Sequence, residues 1–598
     1  FYMEGIEAEI ILEGSQSNEQ VFVNGKRINC ESENGDLVIK HTFGSDDLLV
    51  IKRNNDVLFE KRIRVIPIWL SILPPLIAIA LALIFREVIS SLFIGIYLGA
   101  FIPAVYMDGW ASPFTALFSL MDRYVLNALN NTGHLSVIVF SMLIGACVHV
   151  ISKNGGMNGV VAVLSNYAKS RRSGQFVTWL LGVLIFFDDY ANTLIVGNTM
   201  RPITDRLRIS RAKLSYIVDS TAAPIAAIAF VTTWIGAELG YIEDGISAID
   251  GINQNVYEVF LYSLQFSFYP LLTLIFIAML IYMKKDFGPM YGAETAVIES
   301  EVNSAEQHIN VSENEMRDFE PDEKIPVRWF NAVIPVLVII FCTIFGLIQT
   351  GWDDSIWANP DSGFFGKLSD TIGQADAYKA LLWSSILGLV TAILLSLGQK
   401  LLNLQQAIGS VINGFKTMLT AMIILVLAWS LSNVTEDLHT ADFLTELISG
   451  NMTPYLFPAA IFVLAGLVSF STGSSWGSMA ILYPLMLPLS WTICQESGLD
   501  YSASMLIFYN TVSSVLAGSV LGDHCSPISD TTILSSLASS CDHIEHVRTQ
   551  MPYALTVGAV GTLLGTIPSA FGVPPLLCFL AATLALFVLI RQFGRSTA

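Results

Sequence analysis

Apolar stretches near the ~20 residues that cross a bilayer core begin at Pro67, Glu87, His134, Phe176, Ala212, Phe260, Trp329, Lys379, Val411, Pro454, Ser502, Pro552 and Pro574. In hydrocarbon every backbone N–H and C=O must be satisfied by the segment itself, so a chain of this kind folds as packed helices. The predicted class is an all-α polytopic membrane protein, placed in the cell membrane and surrounded by the lipid bilayer. Composition agrees, with 53% hydrophobic and 14% charged residues and a mean hydropathy of +0.59. The net charge of −19 lies in loops and tails, which argues against nucleic acid as a partner and suits a cation. Seven cysteines are scattered without a CxxC or zinc-type spacing, so no disulfide framework, metal cluster or cofactor is expected. A transporter rather than an enzyme is the reading that follows.

Two segments lie outside this pattern. Residues 1–64 carry short alternating runs, "EAEIIL", "DLVIKHTF" and "DVLFEKRIRV", separated by the turn pairs Asn24-Gly25, Asn34-Gly35 and Asn54-Asn55. They read as a small all-β extracytoplasmic domain. The chain opens on Phe1 with no charged-then-apolar segment before Tyr2, from which removal of a signal peptide is expected. Residues 285–328 are acidic and poor in apolar side chains, and read as a flexible cytoplasmic linker between two membrane halves, 65–284 and 329–598.

Basic residues near membrane ends favour the cytoplasm. With residues 1–64 outside, only Arg123, Lys367 and Lys379 of the later basic residues fall in outer loops. The stretch "LIFFDDYANTLIVG" (Leu184–Gly197) is flanked by basic clusters on both sides, "AKSRRS" and "MRPITDRLRISRAK". A single crossing would strand one cluster outside. Residues 173–207 are therefore predicted to form a re-entrant hairpin that turns at "DDYANT". In the second half, residues 454–491 carry a polar interruption at Ser471–Ser478 and flanks without basic residues, so they form the opposite hairpin. A broken span follows each, 212–236 and 502–540, with Asp219 before Pro224 and Asp523 before Pro527. Three spans, a hairpin, a broken span and a further span thus occur twice in opposite orientation, with one extra span at the end. That is the signature of an inverted-repeat transporter whose site lies at the midplane.

A carboxylate at the bilayer centre costs about 2.5–3.5 kcal/mol, so Asp188, Asp189, Asp219, Asp523 and Asp530 are candidates for function. A buried carboxylate holds either a metal cation or a proton; competition between them gives exchange of Na+ for H+, the expected substrates. Hard monovalent cations want oxygen ligands, and the breaks supply Asn192, Thr193, Ser220, Thr221, Ser471, Thr472, Ser474, Ser475, Ser526, Ser529 and Thr531. Na+ is expected at Asp188, Asp189, Asp523 and Asp530. Neighbours on a helix point about 100° apart, so one of Asp188 and Asp189 binds while the other caps the tip. Asp219 is read as a ligand or as a helix cap, and His524 as a proton shuttle or a structural hydrogen-bonding group.

"FFDDYANTLIVG", "STGSSWG" and "GDHCSPISDTTILSS" followed by "CDHIEHVRTQMPYAL" resemble the NhaC family of Na+/H+ antiporters, within the ion transporter superfamily. The resemblance spans about residues 65–595 and does not include the N-terminal segment. It implies two inverted repeats with re-entrant hairpins, elevator-type movement and a homodimer. The family also contains exchangers of organic anions such as malate and lactate, the alternative substrates. No Arg or Lys lies between Asp188 and Met200 or between Phe470 and Met486, which favours an inorganic cation. An intramembrane aspartyl protease would look for Gly-x-Gly-Asp, whereas "VLGD" precedes His524.

Overall fold

The computed structural model describes the chain apart from residues 1, 13–18, 29–30, 34–35, 45–46, 54–55, 86, 230–231, 248, 250, 253, 300–324, 359–363, 441, 444–451, 528 and 598. The chain divides into two compact units: Phe1–Leu81 with Ile89–Ala128 and Val426–Ser449, and Ala82–Val88 with Leu129–Leu425 and Gly450–Ala598.

In the first unit the strands are β1 (Tyr2–Met3), β2 (Glu7–Leu12), β3 (Glu19–Val23), β4 (Lys26–Ile28), β5 (Glu31–Glu33), β6 (Asp36–Thr42), β7 (Asp47–Arg53), β8 (Asp56–Ile63) and β9 (Val65–Ile66). They form a sheet in the order β4-β3-β7-β8, a sheet β2-β6-β5 and a pair β1-β9. Alternation buries Val21, Ile39, Phe43, Leu49, Ile51 and Ile63 together. Asn24 and Gly25 turn the β3-β4 hairpin with φ of 50° and 76°, the left-handed conformation that the "NG" pair favours. The other two turn pairs lie outside the described residues. The same unit contains helix α1 (Val88–Asp108) from Ile89 onward. A Cβ on Gly99 of this helix would stand 2.0 Å from Val434 Cγ1, so the two backbones meet closely there.

The second unit is helical. It opens with α2 (Thr132–Lys153), capped by Asn131. After a short helix, Gly156–Ser165, come α3 (Arg171–Leu184) and α4 (Asp189–Arg206). Their outer ends meet: the Arg171 guanidinium donates to the Arg208 carbonyl, and a Cβ on Gly174 would lie 2.6 Å from Leu207 Cδ1. The pair is therefore an antiparallel hairpin. Its turn is Ile185–Asp188, slightly earlier than the sequence suggests, because the Asp188 carboxylate accepts from Ala191 N–H (2.7 Å) and starts α4 at once. Helix α5 (Arg211–Asp219) breaks at Ser220, and α6 (Ile235–Ser247) resumes the path. Then come α7 (Phe268–Met283), β10 (Lys285–Asp286) and α8 (Gly288–Glu299).

This last segment corrects the expectation of a linker from residue 285. Asp286 and Glu294 are 2% and 0% exposed because each has found a basic partner. Lys213 Nζ lies 2.5 Å from Asp286 Oδ1, and Glu294 accepts from Arg171 Nη2 (2.5 Å) and Ser210 N–H (2.7 Å). One carboxylate thus holds both ends of the α3-α4 hairpin. Burial, helped by Asp286, pushes the Glu294 carboxyl above its ordinary value, while Lys213 and Arg171 pull it back. The remainder of the acidic stretch, 300–324, lies outside the described residues.

A second hairpin is built from α9 (Phe457–Thr472) and α10 (Ser475–Glu496), joined at Gly473, whose φ of 67° suits glycine. Helix α11 (Tyr501–Cys525) stops before Pro527. Ser529 caps α12 (Asp530–Ala538), and α13 (His543–Gly561) follows. Backbones of α9 and α11 touch through a small-xxx-small pair: a Cβ on Gly518 would sit 2.4 Å from Phe462 O, and one on Gly522 2.2 Å from Gly466 O. Gly522→Val is accordingly expected to cost about 1–3 kcal/mol or more through overpacking, read as a lowered thermal unfolding midpoint in detergent. An unchanged midpoint would contradict that packing.

The helices exchange partners. Gly197 of α4 lies against Ala538 of α12, and α6 lies along α10 with Trp234 against Trp476 (5.6 Å between ring centroids) and Tyr241 stacked on Tyr483 (6.3 Å). Each hairpin's second arm therefore packs on the helix that follows the other half's break. Among the described residues ten helices are long and apolar enough to cross a membrane, or eleven when Val256–Phe266 and Phe268–Met283, bent by 46°, are taken as one. The stretches from Pro67, Phe176 and Ala212 are absent from that count: the first holds only the shorter apolar helix Ile68–Ala82, and the other two are divided into helices too short or too polar to qualify.

Candidate functional site

Interruptions in α5 and α11 free backbone groups inside the protein, and polar side chains gather there to satisfy them. At the second break the Asp523 carboxylate, 2% exposed, accepts from Ser475 Oγ (3.3 Å), which belongs to the tip of the second hairpin, and from Thr531 Oγ1 (3.4 Å), beyond the break. Ser529 Oγ is 3.0 Å from Thr531 Oγ1 and caps α12. Ser526 is buried, and its N–H donates to Asp523 O (3.0 Å). Ser474 caps α10 by accepting from Gly477 N–H, and Thr472 donates to Val468 O (2.9 Å). Ser471 sits half-buried in the last turn of α9. The side chain of Asp530 lies outside the described residues.

At the first break the Asp219 carboxylate, 1% exposed, accepts from Gln550 Nε2 (2.6 Å) and Thr532 Oγ1 (3.2 Å). It is a tertiary acceptor. His546 Nε2 stands 3.7 Å from the same oxygen and 2.8 Å from Gln550 Oε1. An amide oxygen only accepts, so His546 carries its proton on Nε2 and accepts at Nδ1 from Ser215 or Ser536 (2.9 and 2.8 Å). His524 lies between two hydroxyls, Ser220 Oγ at 2.8 Å from Nε2 and Tyr269 OH at 2.7 Å from Nδ1. Such a chain of groups, each able to give and to take, suits proton relay.

The first hairpin joins this network through one amide. Asn192 Nδ2 donates to Gly182 O (2.8 Å) and Thr221 O (2.7 Å), while its buried Oδ1 has no hydrogen-bond partner and can face a ligand. Gly182 is required here, because a Cβ would lie 1.9 Å from Thr221 Oγ1. Thr221 Oγ1 itself donates to Ile217 O (2.8 Å), and Thr193 Oγ1 to Asp189 O (2.8 Å). Asp188 and Asp189 are 3% and 2% exposed. Of the two, Asp188 is the cap. Thr532 links the breaks, because its hydroxyl also lies 3.4 Å from the Asp523 carbonyl. No group of three or more His, Cys, Asp or Glu side chains stands in metal-holding array among the described residues; any cation here would be met by single carboxylates with hydroxyls and carbonyls.

Thr532, Gln550, His546 and Tyr269 were not singled out in the sequence. His546 and Gln550 share a face of α13 at i, i+4 spacing, the one signal that could have drawn attention to them.

Packed apolar helices with interrupted, carboxylate-bearing segments define a multi-pass membrane protein of the secondary transporter class. Comparison with known proteins agrees. Residues 227–567 match the model of the Na+/H+ antiporter family. An uncharacterized protein of Haemophilus influenzae is 30% identical over 524 residues, covering 88% of this chain and 95% of that one. Shorter matches are 30% identity over 146 residues (24% of this chain, 28% of the relative) to an arginine/ornithine antiporter of Halobacterium salinarum, and 26% over 114 residues (19% and 22%) to a malate-2H+/Na+-lactate antiporter of Bacillus subtilis. The chain belongs to the Na+/H+ antiporter family.

Proposed function

We propose that the protein exchanges Na+ for H+ across the cell membrane by alternating access of the elevator type, as a homodimer. The observation that carries this reading is the convergence on Asp523 of hydroxyls from two separate interruptions, Ser475 and Thr531. One buried carboxylate with neutral oxygen donors has the composition of an alkali-cation site, and the same carboxylate can accept a proton instead. Asp188, Asp189 and Asp530 complete the set of acids in this reading, and Asn192 Oδ1 supplies a further neutral oxygen. The Ser220–His524–Tyr269 chain is the proton route.

The two hairpins are read as re-entrant and the two halves as inverted repeats, a reading supported by the meeting of Arg171 with Arg208 and by the exchanged packing of α4 on α12 and α6 on α10. On this topology, single cysteines replacing Arg172 and Arg208 are both expected to react with an impermeant thiol reagent from the cytoplasmic side. Labelling from opposite sides would discard the hairpin.

The name of the Bacillus subtilis relative supports a second reading, organic-anion exchange coupled to Na+ or H+. Lys213, a buried cation between the two hairpins in sequence, is already paired with Asp286, which weighs against a carboxylate-bearing substrate there. Purified protein in proteoliposomes holding a pH gradient separates the readings. Na+ is expected to collapse the gradient, with Li+ and K+ compared as rival cations and malate without effect. A response to malate alone would replace the first reading with the second.

A further inference from the structure

A carboxylate outside this network stands at the place where the two hairpin tips come together. Helix α6 begins where Thr233 N–H donates to Phe187 O (3.0 Å) in the turn of the first hairpin, and where Trp234 meets Trp476 in the first turn after the second hairpin's tip. From there α6 and α10 run parallel in constant register, Trp234 on Trp476, Tyr241 on Tyr483 and Gly245 on Leu487. Glu238 is four residues after Trp234 and three before Tyr241, so it shares their face, and the matching position of α10 is Ala480, which offers no polar group.

Glu238 is 1% exposed, and its Oε1 has no hydrogen-bond partner. The same holds for Tyr241 OH and Trp234 Nε1 on that face, and for Ser141 Oγ on the neighbouring α2. Orphaned buried polar atoms are uncommon in native proteins, and an ionised carboxylate among them is expensive unless a proton or a cation neutralises it. Facing groups leave the neutralising species open to exchange. Of the titratable residues on elements packed against α6, Tyr483 on α10, stacked on Tyr241, comes one turn after the position opposite Glu238. His134 on α2 pairs with Asp244 a turn and a half further along, and Glu243 accepts from Tyr378. Cys147, His149 and Lys153 of α2, Tyr257, Glu258 and Tyr262 of the helix Val256–Ser263, and Cys494 and Glu496 at the far end of α10 are the remaining titratable groups along the packed helices. No Lys or Arg occurs in α6.

We propose that Glu238 is a proton-carrying carboxylate of the exchange, separate from the Asp523 cluster, releasing one proton as Na+ arrives between the hairpin tips and taking one back as Na+ leaves. The carboxyl becomes carboxylate as the cation's charge enters, so the charge that arrives with Na+ is offset at Glu238. The inference rests on the Na+/H+ reading above and adds to it where the proton is held.

The test uses the full chain in proteoliposomes. Wild type must first show Na+-driven proton movement; its absence would overturn the exchange reading and this inference with it, whereas the following outcomes bear on Glu238 alone. Glu238→Gln is expected to lower Na+-driven proton movement by roughly a factor of ten or more while leaving radioactive Na+/Na+ counterflow in place. Retention of both activities, or loss of both in a protein that elutes as folded, overturns the assignment. Glu238→Asp supplies the second variant: proton movement persists with a shifted pH midpoint, and an unchanged pH profile overturns the assignment even where the Gln variant does not fold.

Discussion

Asp523→Asn is expected to reduce Na+-driven proton movement in proteoliposomes to background while the protein is still recovered folded. Asn fills the same volume and can still meet Ser475 and Thr531, so the local packing survives. What disappears is a unit negative charge. At about 4 Å and an effective dielectric of about 20, that charge attracts a monovalent cation by about 4 kcal/mol, or roughly a thousandfold in affinity. The amide also cannot titrate, so the other half of the exchange is lost with the first. Exchange at the wild-type rate would remove Asp523 from the site and leave Asp188, Asp189 and Glu238 to account for coupling.

Asp286→Ala should produce the largest loss of stability. The Lys213 ammonium and the Asp286 carboxylate are 2.5 Å apart with side-chain exposures of 1% and 3%. Tyr553 OH donates to Asp286 Oδ1 (2.7 Å) and Thr597 Oγ1 to Oδ2 (3.2 Å). Removing the acid strands Lys213 beside the rings of Tyr216 and Tyr553, whose attraction for a cation offsets only part of the deficit. The expected cost is about 3–5 kcal/mol, measured as a fall in the thermal unfolding midpoint. Pairing it with Lys213→Met, which removes the stranded charge, should recover most of the loss. A single variant as stable as wild type would mean that the pair adds nothing.

Much of the helical frame was legible because hydropathy and local chemistry act over one segment at a time. The apolar runs marked the spans, and the "NG" pair at Asn24 fixed a hairpin turn by its backbone preference alone. "FFDDYANT" carried its own break, since an Asp three residues before Ala191 N–H is a helix cap on local grounds. Residues 285–299 misled for the opposite reason. An acidic, weakly apolar stretch looks solvated until Arg171, Ser210 and Lys213, distant in sequence, are brought against it. Gln550, Tyr269 and Glu238 share that cause: their meaning depends on which helix lies opposite, and a single Glu or Gln inside an amphipathic run carries no mark of its partner.

Asn192 fastens the last turn of α3 and the interruption after α5 to one amide, and Gly182 lets them touch without space between them. Hairpin and broken helix are thus tied at one point, which places the loop presenting Asp188 and the break after Asp219 under a common constraint.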